Sequence, residues 1–509
     1  MENGIPGLFL QERSGDFLLK KESRRSGRMG RSRLYLIFLL CLFIMFAGSF
    51  PHEAVGDEVE EVVVTATRVE TPVKEVGSSV TVITGDEMKK HGDRYLGDTL
   101  RRVAGISVTR SGGPGTLTSV YMRGLKSGNV LVLVNGVEVN DPSSISRDFD
   151  FGTLTVEDVE RIEIIRGPQS VLYGSDAVGG VINIITKKGI KGRGYSLGVE
   201  YGSFETRSIQ GSVRAGWSDS LLALTFSSHH TGGISVANAS NGNDERDGFG
   251  KESITLNGET AINEHLRINF FGKYEETETD LDDYNNATFL FQDDLFYTQD
   301  LDRFTGKAEV SLDIFEGRFE NIFGIMGTST QRKLSDDPDS INPDWKRFSY
   351  WGKWRRVYYQ GNYYLSDHLT LTGGIEAEEE KFFQDEQGSV FFKESISEKA
   401  TRTESYFAQV LYASDFISGG AGARVDSHDR FGDELTYRLH ASVNLGETGI
   451  LLRASYGTGF KAPTLFQLYS KKYGDPNLKP EKTKGFDAGV EGDFLDGTLS
   501  GKFTWFYID

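Results

Sequence analysis

The chain has 509 residues, a formal net charge of −18, 38% hydrophobic residues and a single cysteine. So acidic a balance excludes bulk nucleic-acid binding, and one cysteine excludes an internal disulfide framework. The length allows two or more domains, each with its own core.

Residues 1–50 are more basic than the rest. Arg31 and Arg33 precede the apolar run Leu34–Gly48, which closes on the small residues Ala47, Gly48 and Ser49. Basic flank, apolar run and small residues form the pattern of a secretory signal. A membrane anchor is the alternative, but the run is short for a spanning helix. Met29 is the expected start, because residues 1–28 look like no part of a signal. Cys41 lies inside the run and would leave with it, and Phe38–Cys41 lacks the small residues of a lipoprotein site. Beyond the signal no apolar run is long enough for a transmembrane helix. The choices are then a periplasmic protein, a secreted protein or an outer-membrane β-barrel.

Residues 51–69 carry the β-prone stretch Val59–Thr67. It reads either as a terminal strand of the next domain or as an exposed strand offered to a partner sheet. Residues 70–189 read as a mixed α/β domain. Ser79–Ile83 is a short strand, and a helical segment over Asp86–Lys90 starts from Asp86 as its cap. Arg94–Val103 predicts a helix with Leu96, Leu100 and Val103 on one face and Gly105 as its stop. Strands follow at Val108, Val120–Met122, Val130–Val134 and Val137–Val139, with Asn135-Gly136 as a hairpin turn. Arg161–Lys188 closes the domain. Its apolar runs Ile162–Ile165 and Val181–Ile185 flank a glycine-rich centre containing Gly167, Gly174, Gly179 and Gly180.

From residue 190 the pattern changes to long dyads. Leu266, Ile268, Phe270 and Tyr274 alternate with Arg267, Asn269 and Lys273. The same alternation recurs at 308–312, 369–377, 406–412, 439–445 and 452–456, with Glu309, Glu376 and Arg453 on the polar face. One apolar and one charged face suit a wall between lipid and a wet lumen. A soluble sandwich is the alternative, with shorter strands and evenly spaced turns. Here short turns such as Glu316-Gly317 alternate with long polar stretches, Thr231–Ser253 and Glu275–Asn286, as in an outer-membrane barrel.

Candidate chemistry is sparse. There is no HExxH, no Walker loop and no nucleophile elbow, and Ser111–Gly115 is a glycine-rich loop without a phosphate-binding lysine. His229 and His230 would point to opposite faces of a strand, which favours a surface pair over metal ligands. Two consecutive long loops carry Asp244, Asp247, Asp280, Asp282 and Asp283. These hard oxygens suit Ca²⁺; solvated loop charge is the competing reading.

Four pieces resemble the TonB-dependent outer-membrane receptors, and within them the cobalamin-receptor branch. Glu61, Val62, Val63, Val64, Thr65 and Ala66 look like the TonB box. Val120–Gly124, holding Arg123 and Gly124, and Val130–Asn140 look like the plug core. Arg166, Gly167, Pro168 and the run from Tyr173 to Ile185 look like the closing signature of the plug. Ser455–Thr464 with Pro476–Glu481 looks like a barrel signature. The resemblance implies a transmembrane β-barrel, truncated from about 22 antiparallel strands, with an N-terminal mixed α/β plug domain inside the lumen. Residues 190–509 hold about 16 strands at ~20 residues each, so C-terminal strands are expected to be missing.

The resemblance also implies function. The chain would be a non-enzymatic, ligand-gated uptake receptor in the outer membrane of a Gram-negative bacterium. Its ligand would be cobalamin or a related corrinoid, with a ferric siderophore as the same-family alternative. A non-transporting signalling or adhesion barrel is the different-class alternative. The inner-membrane transducer TonB would grasp the box by strand pairing and supply the energy. No cofactor is required, and calcium in the loops is the one candidate ion. Arg123 and Arg166 are expected as structural charges buried against the wall or acidic partners.

Overall fold

Two strands that are buried at every position form the centre of the N-terminal domain. Val130–Val134 and Gly180–Thr186 pair in parallel, Leu131 opposite Val181 and Val132 opposite Ile182. Unbroken apolar runs of this kind need cover on both faces of a sheet. Val130, Val132 and Val134 face a cluster with Met88, Leu96 and Leu100, while Leu131 and Leu133 face another with Val80, Ile165 and Leu172.

The computed structural model describes residues 63–64, 68–69, 71–243, 245–284, 290–339, 343–389, 393–494 and 498–509, and residues 56–509 form one unit. The first strands are β1 (Val63–Val64), β2 (Thr71–Pro72), β3 (Val80–Thr84), β4 (Ile106–Arg110) and β5 (Thr118–Met122). Then come β6 (Val130–Val134), β7 (Val137–Glu138), β8 (Val159–Arg166) and β9 (Gly180–Thr186). Three short helices accompany them: α1 (Gly85–His91), α2 (Leu96–Leu100) and α3 (Ser170–Tyr173). The plug sheet has the order β3-β8-β9-β6-β7, and β4 pairs separately with β5. Asn135 and Gly136, with φ of 49° and 80°, make the expected tight hairpin turn between β6 and β7.

Two helix ends differ from the sequence reading. The cap of α1 is Thr84, whose side chain accepts from Glu87 N–H while Glu87 reaches back, a capping box that displaces Asp86 into the first turn. Helix α2 spans only Leu96–Leu100 and stops well short of Gly105, which lies instead where Arg123 N–H donates to its carbonyl.

The second part is one antiparallel sheet. It runs through β10 (Gly192–Tyr201), β11 (Arg207–Trp217), β12 (Ser220–Thr231), β13 (Phe249–Ala261) and β14 (Leu266–Asp280). A short loop hairpin, β15 (Asp283–Tyr284) and β16 (Phe291–Gln292), precedes β17 (Thr298–Ile314), β18 (Phe319–Asp336), β19 (Lys346–Ser366) and β20 (Leu369–Gly388). After β21 (Ile396–Ala413), β22 (Ile417–His428), β23 (Gly432–Asn444) and β24 (Ile450–Lys461) comes helix α4 (Leu465–Tyr469), then β25 (Glu481–Phe494) and β26 (Leu499–Ile508). The sheet has 15 strands in sequence order, and among the described residues no ladder joins β10 to β26.

The sheet wraps the plug. Arg214 of β11 donates to Lys188 O, Lys273 of β14 meets Asp158, Arg438 of β23 reaches Ser78, and Lys502 of β26 reaches Val80 O. The dyads sort as expected: Lys273, Glu376 and Arg453 turn inward and are buried, while Tyr274, Ile375 and Leu452 face outward and are exposed. Strands β12, β13 and β14 run past the ends read from sequence, so the stretches 231–253 and 275–286 contain strand as well as loop. There Glu275, Thr277 and Thr279 still face the plug, but the outer face is no longer apolar. Tight turns such as 218–219, 315–318 and 367–368 lie at one end, and the described residues of the long loops, 232–243, 245–248, 281–284, 290–297 and 462–480, at the other.

Candidate functional site

Arg161–Lys188 supplies β8, α3 and β9, and its centre presses on the wall. Gly167 has φ +87°, and a Cβ there would come within 2.6 Å of Asp487 Oδ2 on β25. Pro168 wedges against wall glycines: a Cβ on Gly485 would meet its Cδ at 2.5 Å, and its carbonyl lies 3.3 Å from the corresponding point on Gly457. Gly174 faces the guanidinium of Arg424, and Gly180 passes so close to Ile165 O that a Cβ would sit 2.2 Å away. Gly179 donates its N–H to Asn129 O at 2.8 Å. Gly124 has φ +80° and open space around it, so its role is the turn and not packing.

The two plug arginines differ. Arg123 is buried, pairs with Asp487 of β25 and stacks 4.4 Å from the Phe506 ring centroid. Arg166 has no carboxylate partner among the described residues: its Nε and one terminal nitrogen donate to Ala104 O at 3.1 and 2.9 Å, and the other to Thr81 Oγ1 at 2.9 Å. The expected pairing therefore fails at Arg166, whose charge is met by neutral acceptors within the plug.

Sequence reasoning missed a buried charge cluster centred on Arg147. Arg147 meets Glu138 at 2.9 Å, Asp176 of the plug, and Glu380 at 2.8 Å on β20. Burial works against its charge, but Glu138, Glu380, Asp176 and Glu378 outweigh it and hold the guanidinium well above its ordinary range. Lys461 of β24 reaches Asp176 at 3.1 Å. Asp176 and Lys461 both lie inside motifs quoted above, but nothing local marks them as partners. His229 is also not a surface residue: it is buried, with Nε2 at 2.8 Å from Tyr95 Oη.

At the N-terminal end, β1 pairs antiparallel with β2, Val63 opposite Pro72 and Val64 opposite Thr71. Glu61, Val62, Thr65 and Ala66 lie outside the described residues. Just after them, Arg68 is anchored in the wall. Its guanidinium pairs with Glu376 of β20 and lies 4.6 Å from the Phe407 ring and 5.6 Å from the ring of Tyr173. Its carbonyl accepts from Gln360 Nε2 at 3.1 Å. The β1 end of the chain is thus tied within a few residues to the plug and barrel together.

The acidic loops come only partly together. Asp247 Oδ2 accepts from Val236 N–H at 2.7 Å, and Asp282 accepts from Ala237 N–H at 2.8 Å and Asp294 N–H at 3.2 Å. Burial and then Asp282 push the Asp247 carboxyl up to about 8, and burial also raises Asp282. Asp280 accepts from Gly248 N–H, and Asp283 turns away to Lys346. Asp244 lies outside the described residues. Among the described residues no three His, Cys, Asp or Glu side chains converge as a metal-holding group.

Comparison with known proteins matches two family descriptions to the chain. Residues 72–181 match the family described as TonB-dependent Receptor Plug Domain, and residues 189–509 match TonB dependent receptor-like, beta-barrel. The chain is similar to the vitamin B12 transporter BtuB of Photobacterium profundum, 30% identical over 450 residues, which covers 86% of this chain and 68% of that protein. It is 28% identical over 447 residues to BtuB of Vibrio vulnificus, covering 88% of this chain and 70% of that one. In structure it is similar to the siderophore receptor PirA of Acinetobacter baumannii, with a TM-score of 0.67 at 20% identity, covering 86% of this chain and 70% of that one. At that identity the likeness shows the fold.

Proposed function

This chain belongs to the TonB-dependent receptors, and we propose that it takes up cobalamin or a related corrinoid across the outer membrane. The observation that carries the reading is the 30% identity to a vitamin B12 transporter, which runs through plug and barrel alike. A transporter needs no nucleophile–base constellation, in keeping with the lack of a catalytic motif.

The geometry suggests how the residues would share the work. Ligand lands on the end that carries the long loops, over the exposed plug apices Leu117 and Ile145. TonB adds a strand at Glu61–Ala66, where backbone pairing supplies affinity without a dedicated side-chain pocket. That pairing competes with the short β1–β2 ladder. Force then reaches Arg68, and through Glu376 the charged seam between plug and wall. A seam built from hydrogen bonds and ion pairs can exchange its partners for water as it opens.

Calcium joins the proposal at one place. Asp247 and Asp282 face each other with raised proton affinity, and Asp247 Oδ1 has no hydrogen-bond partner among the described residues. A hard cation would relieve that repulsion. Asp280 and Asp283 have other partners and are left out of the set.

The test is uptake against binding. Deleting Glu61–Ala66 is expected to leave cyanocobalamin binding intact and to abolish uptake by cells. Uptake at the parental rate would refute the TonB step. Saturable binding of ferric siderophores with none of cyanocobalamin would refute the corrinoid assignment.

A further inference from the structure

The barrel wall forks at one seam. Strand β23 stays paired with β22 as far as Gly432, opposite His428, but pairs with β24 only from Arg438 to Asn444. Strand β24 meanwhile stays paired with β25 up to Lys461, opposite Glu481. At the fork Thr458 Oγ1 accepts from Tyr437 N–H at 2.9 Å, so a side chain takes the place of the next ladder bond. The wall therefore parts above Tyr437, at the end that carries the long loops.

A cleft of about 450 Å³ lies beside the opening, between this end of β23 and residues 476–482, with Arg430, Glu434, Lys479 and Lys482 in its walls. Three cations there face one carboxylate, and Lys482 already holds it at 2.7 Å. Among the described residues neither Arg430 nor Lys479 forms an ion pair. Instead Arg430 donates to Tyr469 Oη at 2.7 Å, and Lys399 Nζ lies 4.8 Å from the centroid of the same ring. Apart from Glu434, which Lys482 occupies, no carboxylate pairs with these cations among the described residues, in a chain whose net charge is −18.

We propose that this cleft is a phosphate-recognition site. An arginine fork offers paired donors that match phosphate oxygens, and lysines add point charge. The phosphate has two possible carriers because the fork opens both ways. On one side Arg430 reaches Tyr469, whose ring also meets Lys399, at the loop-bearing end where an incoming ligand would pass. Lys482 shares a strand face with the exposed Phe486, toward the headgroups of the outer leaflet.

The experiment uses the full chain in phosphatidylcholine nanodiscs, wild type against Arg430→Gln/Lys479→Gln/Lys482→Gln. All three side chains are exposed, so folding is not at stake, and Arg430→Lys serves as a conservative control. One arm measures retention of diphosphoryl lipid A by native mass spectrometry. The other compares cyanocobalamin, which bears a phosphodiester, with cobinamide, which lacks it; this arm rests on the corrinoid reading. Wild type is expected to prefer the phosphate-bearing member in at least one arm, and the triple variant to lose roughly tenfold or more there while its partner probe is unchanged. The arm that responds names the carrier. Both corrinoids bound alike with no lipid A retention overturns the cleft and spares the corrinoid reading. Charge-dependent lipid A retention with neither corrinoid bound does the reverse. A phosphate preference that survives in the triple variant also overturns the cleft.

Discussion

Arg68→Ala removes the side chain that ties the N-terminal segment to the plug and the wall. In the folded protein the guanidinium makes a buried charge-assisted contact with Glu376 and lies against two aromatic rings. Such a contact contributes about 1.5–3 kcal/mol, and the ring contacts about 0.5–2 kcal/mol. One correction pulls the sum down: Glu376 keeps Arg424 at 2.8 Å and Arg356 at 3.7 Å, so no bare carboxylate remains. The strained φ of +59° at this position is shared by arginine and alanine and cancels from the comparison. The net loss of anchorage is then about 2–3 kcal/mol, or roughly 30- to 150-fold in the undocked population. Hydrogen exchange reads this directly: amides between Val69 and Glu75 should lose protection by that factor, while Val130–Val134 in the plug centre should not change. Arg68→Lys should fall between, since an ammonium keeps the charge but not the planar fork. Unchanged protection at 69–75 in Arg68→Ala would refute the anchor, and an equal loss at 130–134 would show that the whole plug had loosened instead.

Three further outcomes follow from the same geometry. Gly167→Ala combines φ +87° with a Cβ 2.6 Å from Asp487 Oδ2, so it should displace the Arg123–Asp487 pair and cost about 2–4 kcal/mol; a melting temperature equal to wild type would count against it. Asp158 resists protonation, because Lys273 at 2.8 Å and Lys251 outweigh burial and hold its carboxyl down at about 2. A depressed folded value means that its stabilisation is present above about pH 4 and lost as pH falls toward 2; denaturant midpoints across that range should show the loss in wild type and not in Asp158→Asn, which itself should cost about 3–5 kcal/mol at neutral pH. Asp247 has the opposite sign. Its folded value of about 8 lies above the unfolded one, so the loops 232–248 and 281–297 should loosen as pH rises from about 4 to 8. Calcium should reverse that loosening with release of protons and bind more tightly at higher pH; loop exchange that is flat with pH and indifferent to calcium would dismiss both effects.

What the sequence disclosed was what local pattern can encode. The continuous apolar runs of β6 and β9, the Asn135-Gly136 turn and the inward charges at Lys273, Glu376 and Arg453 all follow from a period of two or from two adjacent residues. Strand ends at Glu275–Thr279 were hidden, because above the apolar band a strand has polar residues on both faces and loses its signature. The helix caps went astray for a related reason: Asp86 and Thr84 are both credible caps, and only the reach of Glu87 decides between them. His229 gave no sign of burial, since its cover is Tyr95, more than a hundred residues away. The pairs that define the site lie farther still. Arg68 with Glu376, Arg123 with Asp487 and Lys461 with Asp176 meet only once the sheet has wrapped the plug.

That wrapping explains why so many of these contacts are ionic. Apolar matching over the same area would bind the plug to the wall through its hydrophobic cover, and each buried methylene would add about 0.8 kcal/mol against withdrawal. Charged pairs behave otherwise. Their attraction is largely offset by lost hydration, so they add little net hold, yet a mispaired charge costs several kcal/mol. The seam can therefore fix the register of the plug strictly while holding it only moderately. Arg166 tests this logic from within. It forms no ion pair with the wall among the described residues and binds Ala104 O and Thr81 Oγ1 of its own domain, so those hydrogen bonds hold whether or not the plug touches the barrel. Arg123, which like Arg166 lies against Gly105, pairs with Asp487 and must be re-paired whenever that contact opens. Of the two arginines flanking Gly167, then, one belongs to the integrity of the plug and the other to its seat in the wall.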